Sequence, residues 1–298
     1  MDIRITDAEL ESAFAPAIRR EVTRDDPDWT EATGRAEKKS RPSPLKAIRN
    51  YFSPRSESAV ADIYGERWSS QDALARLDPS QGKSIPLVWR NRQFFAHGKG
   101  TKRVQLLYLM RIVEALKPSR VLEIGSGMGQ NLMMLAALFP ETRFTGIELT
   151  KQGYEASLAL KARSEFPPEL VRFSPLPLRD LSSHRRIDLH CGSAAELPFG
   201  DHSFDLVYSI QAIEQMNAVK GQVFAEITRV CSGHVVMVEP FADWNQDQRR
   251  RERVTERQQF DSSMSDLARY HLKPIYSSDD MPTKSNFGVG IVVAAVTL

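Results

Sequence analysis

The sequence is poor in the features that mark several large classes of protein. Its 298 residues include two cysteines, Cys191 and Cys231, and neither belongs to a CxxC pair. Two such thiols do not form a disulfide framework, so we expect a reducing, cytoplasmic environment. No run approaches the 18 apolar residues that a membrane-spanning helix needs. The first residues, MDIRITDAELES, have no apolar core segment, so we expect no secretory signal.

An excess of charge of one sign is also absent. The chain has 40 Lys and Arg against 38 Asp and Glu, a formal net charge of +2. This balance excludes an obligate polyanion binder but leaves room for local basic patches. Hydrophobic residues make up 41% and charged residues 26%, which excludes a disordered or fibrous chain as a description of the whole. The length predicts about two domains, or one α/β domain with additions.

The first part of the chain has few clustered apolar residues. We expect residues 1–60 to form a flexible basic arm, since five prolines interrupt it: Pro16, Pro27, Pro42, Pro44 and Pro54. The motifs described below that predict a cofactor site all lie after residue 120, so we expect the arm to be dispensable for cofactor binding. Within it, residues 34–57 hold seven basic and two acidic residues. This segment has two interpretations: a solvated linker, or an arm that contacts phosphates or an anionic membrane surface. For residues 61–101 we predict a cap region, made of short helical pieces followed by a loop.

From residue 102 to residue 298, short apolar runs alternate with helical segments. Six runs predict strands, at 120–125, 143–149, 186–192, 204–210, 234–240 and 290–298, and KPIYS is a weaker seventh. Continuous apolarity is typical of strands that helices cover on both faces. We therefore predict an α/β fold with a doubly wound, seven-stranded Rossmann-like sheet, preceded by a mainly helical or irregular N-terminal extension.

A glycine-rich turn joins the first of these strands to a helix. In VLEIGSGMGQN, an apolar strand leads into Gly125, Gly127 and Gly129. Glycine permits a tight turn and a close approach of a ligand to the backbone. The N–H groups at the start of the helix can bind an acidic group of that ligand. Glu148, at the end of the second strand, can accept both hydroxyls of a ribose. Together these residues predict an adenosine-containing ligand at the carboxyl edge of the sheet.

The glycine spacing separates two such ligands. A dinucleotide fold requires GxGxxG, whereas this turn is GxGxG with Gln130 at the position of the third glycine. The spacing therefore counts against NAD. Glu123, two residues before the turn, suits a ligand with a methionine-like amino-acid end.

Five motifs in this order resemble the class I S-adenosylmethionine-dependent methyltransferases over about residues 102–298. They are VLEIGSGMG, GIEL, CGSAAELPF, FDLVYSIQAIEQM and FAEITRVCSGHVVMVEP. The resemblance implies S-adenosylmethionine as the cofactor and methyl transfer as the reaction. The chain departs from the family in three places. Ser193 replaces the usual Asp, SGH at 232–234 replaces a Gly-Gly turn, and Gln215 stands where some members have His.

The resemblance also implies roles for individual residues. Glu123 would orient the methionine amino group, Glu148 would hold the ribose, and Ser209 and Gln211 would lie near the reactive methyl. The full set of implied cofactor-binding residues is Glu123, Gly125, Ser126, Gly127, Gly129, Asn131, Glu148, Leu149, Ser193, Ala194, Ser209 and Gln211.

An oxygen acceptor usually needs a base, and three residues are candidates. Glu214 follows the fourth strand, Glu239 ends the fifth, and His97 lies in a glycine-flanked segment before the sheet. For the two carboxylates a helix cap or a salt bridge is the alternative role, and for His97 it is an exposed loop position. His190 and Cys191 are adjacent on a strand and face opposite sides, so we expect no metal site.

The acceptor is the least defined part of the sequence. The leading interpretation is a methyltransferase that acts on oxygen of a small molecule or a saccharide. A nucleic-acid methyltransferase is an alternative that only the basic segment 34–57 favours, because Ser209-Ile210-Gln211-Ala212 is not the motif for base amino groups. A non-catalytic S-adenosylmethionine-binding partner protein is a further alternative. The sequence does not define the oligomeric state.

Overall fold

The computed structural model describes residues 3–39, 56–68, 74–248 and 262–297, together with residues 250–251, 254 and 260. The helices are α1 (Asp7–Phe14), α2 (Pro27–Lys39), α3 (Glu57–Trp68), α4 (Lys99–Leu116), α5 (Gln130–Leu138), α6 (Lys151–Lys161), α7 (Pro168–Phe173) and α8 (Lys220–Val230). The strands are β1 (Ile18–Val22), β2 (Ser84–Trp89), β3 (Arg92–His97), β4 (Arg120–Ile124), β5 (Arg143–Glu148), β6 (Asp188–Cys191), β7 (Phe204–Ile210), β8 (Cys231–Glu239), β9 (Leu272–Ser278) and β10 (Gly290–Val296).

Seven strands form the main sheet, in the order β6-β5-β4-β7-β8-β10-β9. The five strands from β6 to β8 are parallel, and β10 runs antiparallel to both of its neighbours. All six predicted runs are strands, and KPIYS lies within β9, so the predicted fold class is confirmed. The chain passes from β4 to β5 and β6 on one side of β4, and then crosses to β7 on the other side. Ligands bind in open α/β sheets at such a switch point, beyond the carboxyl ends of the strands.

Side chains alternate between two apolar layers, one on each face of the sheet. On β4, Val121 packs into one layer and Leu122 into the other. The first layer contains α4 and α5, and α5 is buried from Leu132 to Leu138. The second layer contains Val223 and Ile227 of α8. This period-two alternation explains why the strands are apolar along their whole length.

The prediction of a flexible N-terminal arm is wrong for the start of the chain. Residues 7–39 contain α1, β1 and α2, and the ring of Phe14 on α1 is fully buried. It meets Trp89 and Phe94 edge to face, with centroids 5.5 and 5.4 Å apart. The apolar residues here are few, but they lie on one helix face and their partners are some 75 to 80 residues further along the chain. We therefore expect deletion of this segment to destabilise the fold, while its dispensability for cofactor binding stays a prediction.

The segment from Ser84 to His97 was predicted as a loop and is a β-hairpin. Strands β2 and β3 are antiparallel, and β1 adds to β3 to complete a three-stranded sheet. The turn is Arg90-Asn91, with φ of 49° and 61°, as a two-residue hairpin turn of type I′ requires. Because this turn has no glycine, it carries a weaker sequence signal than Asn-Gly.

Two sequence predictions lie wholly or partly beyond the residues described here. Most of the basic segment 34–57 falls on residues 40–55, so its linker and phosphate-binding or membrane-binding interpretations both stay predictions. In the part of the chain that the structure covers, none of the helices combines the length and the apolarity needed to cross a membrane. Cys191 is exposed, Cys231 is buried, and both are free thiols.

Candidate functional site

The turn after β4 has the backbone conformation that its glycines predict. Gly125, Gly127 and Gly129 have φ of 69°, 54° and 71°, a region that residues with a side chain seldom adopt. The N–H groups of Gly125 and Ser126 donate to the carbonyl of Ile147 on β5, at 2.9 and 3.0 Å. Gly129 starts α5 without a side-chain cap, so the first N–H groups of the helix are open to a ligand.

Glu148 joins this turn to the end of β5. One carboxylate oxygen accepts from Gly127 N at 2.8 Å, and the other accepts from Thr150 N at 3.0 Å and Thr150 Oγ1 at 2.6 Å. A carboxylate has about four acceptor positions, so three protein donors leave one for a ligand. Glu148 can therefore accept one ribose hydroxyl in this arrangement, whereas the sequence predicted two. The role of Thr150 was not predicted.

Glu123 lies beneath the glycine turn on β4. Its carboxyl group is buried and accepts from Asn131 Nδ2 at 2.9 Å. In the parallel ladder it stands opposite Tyr208 of β7, which is also buried. Burial raises the pKa of Glu123 to about 8, and the Asn131 hydrogen bond offsets only part of that effect. In the ligand-free protein this acid is therefore mostly protonated at neutral pH.

A cavity of about 570 Å³ extends from the glycine turn to the loop after β7. Three groups of residues line it. The group around the glycine turn is called the donor end, after the methyl donor that the motifs predict. It consists of Glu123, Gly125, Ser126, Gly127, Met128, Gln130, Asn131, Glu148, Leu149 and Thr150. The far end consists of Ile210, Gln211, Ala212, Glu214, Gln215, Met216, Lys99, Lys102, Arg76, Leu77 and Phe173. The cover consists of Glu57, Val60, Tyr64 and Trp68 from α3. The volume is that of a small-ligand site.

Helix α3 packs directly on the donor end. A Cβ at Gly127 would lie 2.8 Å from the Trp68 ring, and a Cβ at Gly153 would lie 3.0 Å from it. At the other end of α3, Glu57 accepts from Ser193 Oγ at 2.5 Å. The indole Nε1 of Trp68 is buried without a hydrogen-bond partner among the described residues. The sequence predicted short helical pieces here, but nothing local indicated where they would pack.

Eight of the twelve predicted cofactor residues line the cavity and four do not. Those that line it are Glu123, Gly125, Ser126, Gly127, Asn131, Glu148, Leu149 and Gln211. Gly129 lies behind the turn as the start of α5, and Ala194 packs into the core. The Ser193 hydroxyl is directed to Glu57, and the Ser209 hydroxyl donates to Glu239 at 2.7 Å. These four residues do not line the cavity in this structure, and their role in cofactor binding stays a prediction.

Of the three candidate bases, Glu214 is the one that lines the cavity. Its side chain is 5% exposed and accepts from Gln215 Nε2 at 2.9 Å. It follows Gln211, whose φ of 52° is uncommon for a residue with a side chain and whose amide oxygen accepts from Lys102 Nζ. This turn brings Gln211 and Glu214 to the same cavity wall.

Glu239 supports that wall from behind. It is fully buried and accepts from the Ser209 hydroxyl and from the N–H groups of Ala212, Ile213 and Glu214, the last three at 3.1 to 3.2 Å. Burial, and then the nearby charge of Glu214, raise its pKa to about 8. Glu239 does not line the cavity, and its role as a catalytic base stays a prediction; its hydrogen bonds position the loop.

His97 lies away from the cavity as well, and its role as a base also stays a prediction. It ends β3, outside the cavity lining, and its ring lies 3.2 Å from where a Cβ at Gly82 would be. Burial, and then the charge of Lys99, lower its pKa. The β2–β3 hairpin, which the sequence did not predict, holds it in the three-stranded sheet.

Residues 122–237 match the family described as the methyltransferase domain. This segment is similar to class I methyltransferase domains. The match covers β4 to β8 with the glycine turn, Glu148 and the Gln211–Glu214 loop, which are the parts of the site that the motifs predicted. It confirms the resemblance drawn from the sequence and, with it, S-adenosylmethionine as the expected cofactor.

Solved structures share the methyltransferase fold at low identity. The cyclase SpnF is 16% identical with a TM-score of 0.53, over 83% of this chain and 97% of that one. Geranyl diphosphate C-methyltransferase from Streptomyces coelicolor A3(2), in complex with Mg²⁺, geranyl diphosphate and S-adenosylhomocysteine, is 12% identical with a TM-score of 0.50, over 82% and 100%. A geranyl diphosphate methyltransferase with sinefungin is 13% identical with a TM-score of 0.53, over 80% and 99%. At these identities the likeness concerns the fold.

Proposed function

We propose that the protein is an S-adenosylmethionine-dependent methyltransferase that methylates oxygen of a small-molecule or saccharide acceptor. The observation that carries this proposal is the continuity of the cavity. One cavity is lined both by the glycine turn with Glu148 and by Gln211 with Glu214.

The donor end offers a group for each part of the cofactor. The open N–H groups at the start of α5 suit a carboxylate, and the carboxyl of Glu123 suits an ammonium group. Glu148 retains one acceptor position for a ribose hydroxyl. When bound, S-adenosylmethionine supplies a methyl group that its sulfonium has already activated. The residues of this chain then need mainly to align the reactants, which can contribute about 7–11 kcal/mol to lowering the barrier.

The far end of the cavity, which we call the acceptor end because the acceptor would bind there, offers a base. Glu214 lines the cavity next to Gln211. Its backbone N–H donates to the carboxylate of Glu239, with 3.1 Å between N and Oε2, which holds the residue in place. We assign Glu214 to accept the proton of the acceptor hydroxyl, an effect of about 10² to 10⁴ in rate. Glu239 acts through the loop and does not touch the substrate.

Helix α3 serves as the cap in this proposal. Trp68 lies on the turn at Gly127 and Glu57 reaches Ser193, so the helix spans the donor end from one side to the other. A covered cavity of about 570 Å³ must hold both the donor and the acceptor, which favours a small acceptor over a polynucleotide. Two of the structural neighbours are named for a small substrate, geranyl diphosphate.

Transfer of label from a methyl-labelled donor tests the proposal. The protein is incubated with S-adenosylmethionine and a fractionated small-molecule extract, and labelled products are separated by chromatography. We expect labelled product with wild type, and a loss of at least 100-fold in kcat for Glu214→Gln with donor affinity within twofold. Glu141→Gln changes an exposed acid elsewhere and is the matched control.

Two results would oppose the proposal. Undiminished turnover by Glu214→Gln would remove this base and the argument for oxygen. A protein that binds the donor but labels no fraction would support the non-catalytic partner instead, and label found only on added RNA or DNA would support the nucleic-acid alternative.

A further inference from the structure

We propose that the acceptor carries an anionic group, a phosphate or a carboxylate, that binds to Lys99, Lys102 and Arg76. This inference rests on the proposed function, because it identifies the class of molecule that fills the far end of the same cavity.

Three basic residues from two elements line the cavity with the Gln211–Glu214 loop. Lys99 and Lys102 belong to the first turn of α4 and are three residues apart, so they project from one helix face. Arg76 comes from the short turn Ala75–Leu77 and is exposed at the rim, while both lysines are half-buried. Lys102 Nζ donates to the amide oxygen of Gln211, which places this cation beside the loop that holds Glu214.

Helix stability does not explain the two lysines. The start of a helix is the positive end of its dipole, where cations are unfavourable and acids are preferred. The first turn of α4 contains both lysines and no acid, and Gly98 before it provides no side-chain cap. The positive charges of the two lysines therefore interact unfavourably with the helix dipole. An anion bound between them would offset this unfavourable interaction.

The charges of the cavity are divided between its two ends. Four carboxylates line it: Glu57, Glu123, Glu148 and Glu214. Glu123 and Glu148 lie at the donor end, and Glu57 is directed to Ser193. Among the cavity-lining residues, Glu214 is thus the acid that shares the acceptor end with three bases. Basic residues thus outnumber acids in this part of the lining, which suits a phosphate or carboxylate. Arg76 can bind such a group through two N–H groups, and the lysines can bind it as point charges.

Titration of the protein loaded with S-adenosylhomocysteine tests this inference, since the product fills the donor end. The probes are inorganic pyrophosphate, inorganic phosphate and acetate at constant ionic strength, and binding is measured by calorimetry. The variants are the double substitution Lys99→Gln with Lys102→Gln, and Arg76→Gln at the exposed rim. Lys273→Gln, exposed on the edge strand β9, is the charge-matched control.

We expect at least one probe to bind wild type and to bind the double variant at least tenfold more weakly, about 1.4 kcal/mol. Arg76→Gln should weaken it at least threefold, and Lys273→Gln should stay within twofold. Strongest binding of pyrophosphate or phosphate would identify a phosphorylated acceptor, and strongest binding of acetate a carboxylic acid.

Three results would overturn it. The first is binding of no probe to a protein that does bind S-adenosylhomocysteine, and the second is equal binding to wild type and both variants. The third is a methylated product that comes only from the fraction of an extract that an anion exchanger does not retain. If S-adenosylhomocysteine itself does not bind wild type, the proposed function fails and this inference falls with it, which separates the two failures.

Discussion

The affinity for the donor should rise with pH, because Glu123 must lose a proton to bind an ammonium group. Burial raises the pKa of Glu123 to about 8, so about 1% of this group is ionised at pH 6 and about 10% at pH 7. Each pH unit below 8 then costs about tenfold in affinity, or 1.4 kcal/mol. The rise should level off near pH 8, where Glu123 is ionised before the ligand binds.

Calorimetry with S-adenosylhomocysteine at pH 6.0, 6.5, 7.0 and 7.5 measures this effect. Repeating each titration in two buffers of different ionisation enthalpy gives the number of protons released. We expect the dissociation constant to fall by more than tenfold over this range, with close to one proton released per ligand at pH 6.5. Glu123→Gln should bind more weakly at pH 7.5 and should lose both the pH dependence and the proton release.

The matched variant is Glu148→Gln, which changes the other buried acid of the donor end. It should weaken binding at every pH and keep the slope, since its partner is a hydroxyl. A dissociation constant that is flat from pH 6 to 7.5 in wild type would refute the role of Glu123, as would an unchanged slope in Glu123→Gln.

Three further predictions concern the cap, the turn and stability. Trp68→Ala should weaken donor binding by about 1–2 kcal/mol and speed dissociation in stopped-flow fluorescence, because the indole covers the turn; Ile63→Ala, 48% exposed on the same helix, should do neither. Gly127→Ala should lower the melting temperature, since φ is 54° and the new Cβ would lie 2.8 Å from Trp68, and a rise in melting temperature would refute this. The free energy of unfolding of the ligand-free protein should fall as pH rises from about 4.5 to 8. Glu123 and Glu239 keep their protons to a higher pH in the folded state than in the unfolded state. Their contribution to the free energy of unfolding is therefore complete below pH 4.5 and is lost towards pH 8. Equal free energies of unfolding in urea at both ends of that range would contradict this prediction.

The parts of the fold that the sequence predicted are those in which neighbouring residues carry the signal. The strands of the main sheet are continuous apolar runs because helices cover both of their faces. The glycine turn is recognised from the spacing of its three glycines, which occupy every second position. Glu148 follows from its distance along the chain to that turn. These features depend on local backbone conformation and on periodicity, which a sequence states directly.

The parts that the sequence did not predict depend on partners far away in the chain. Phe14 is part of the core because Trp89 and Phe94 meet it, and neither lies within 70 residues. Ser209 and Glu239 each lie near the end of an apolar strand, so the sequence makes both candidate site residues. The register of β7 and β8 instead brings them together behind the loop, where the Ser209 hydroxyl donates to Glu239. Trp68 reaches the turn only through the packing of α3.

The most direct test of the account is calorimetry of the full chain with S-adenosylmethionine and with NAD. We predict one site for S-adenosylmethionine, no measurable heat with NAD, and a loss of about 1.5–3 kcal/mol of binding free energy in Glu148→Ala but not in Glu141→Ala. NAD binding without a response to S-adenosylmethionine, or a Glu148→Ala variant that binds as tightly as wild type, would contradict the account.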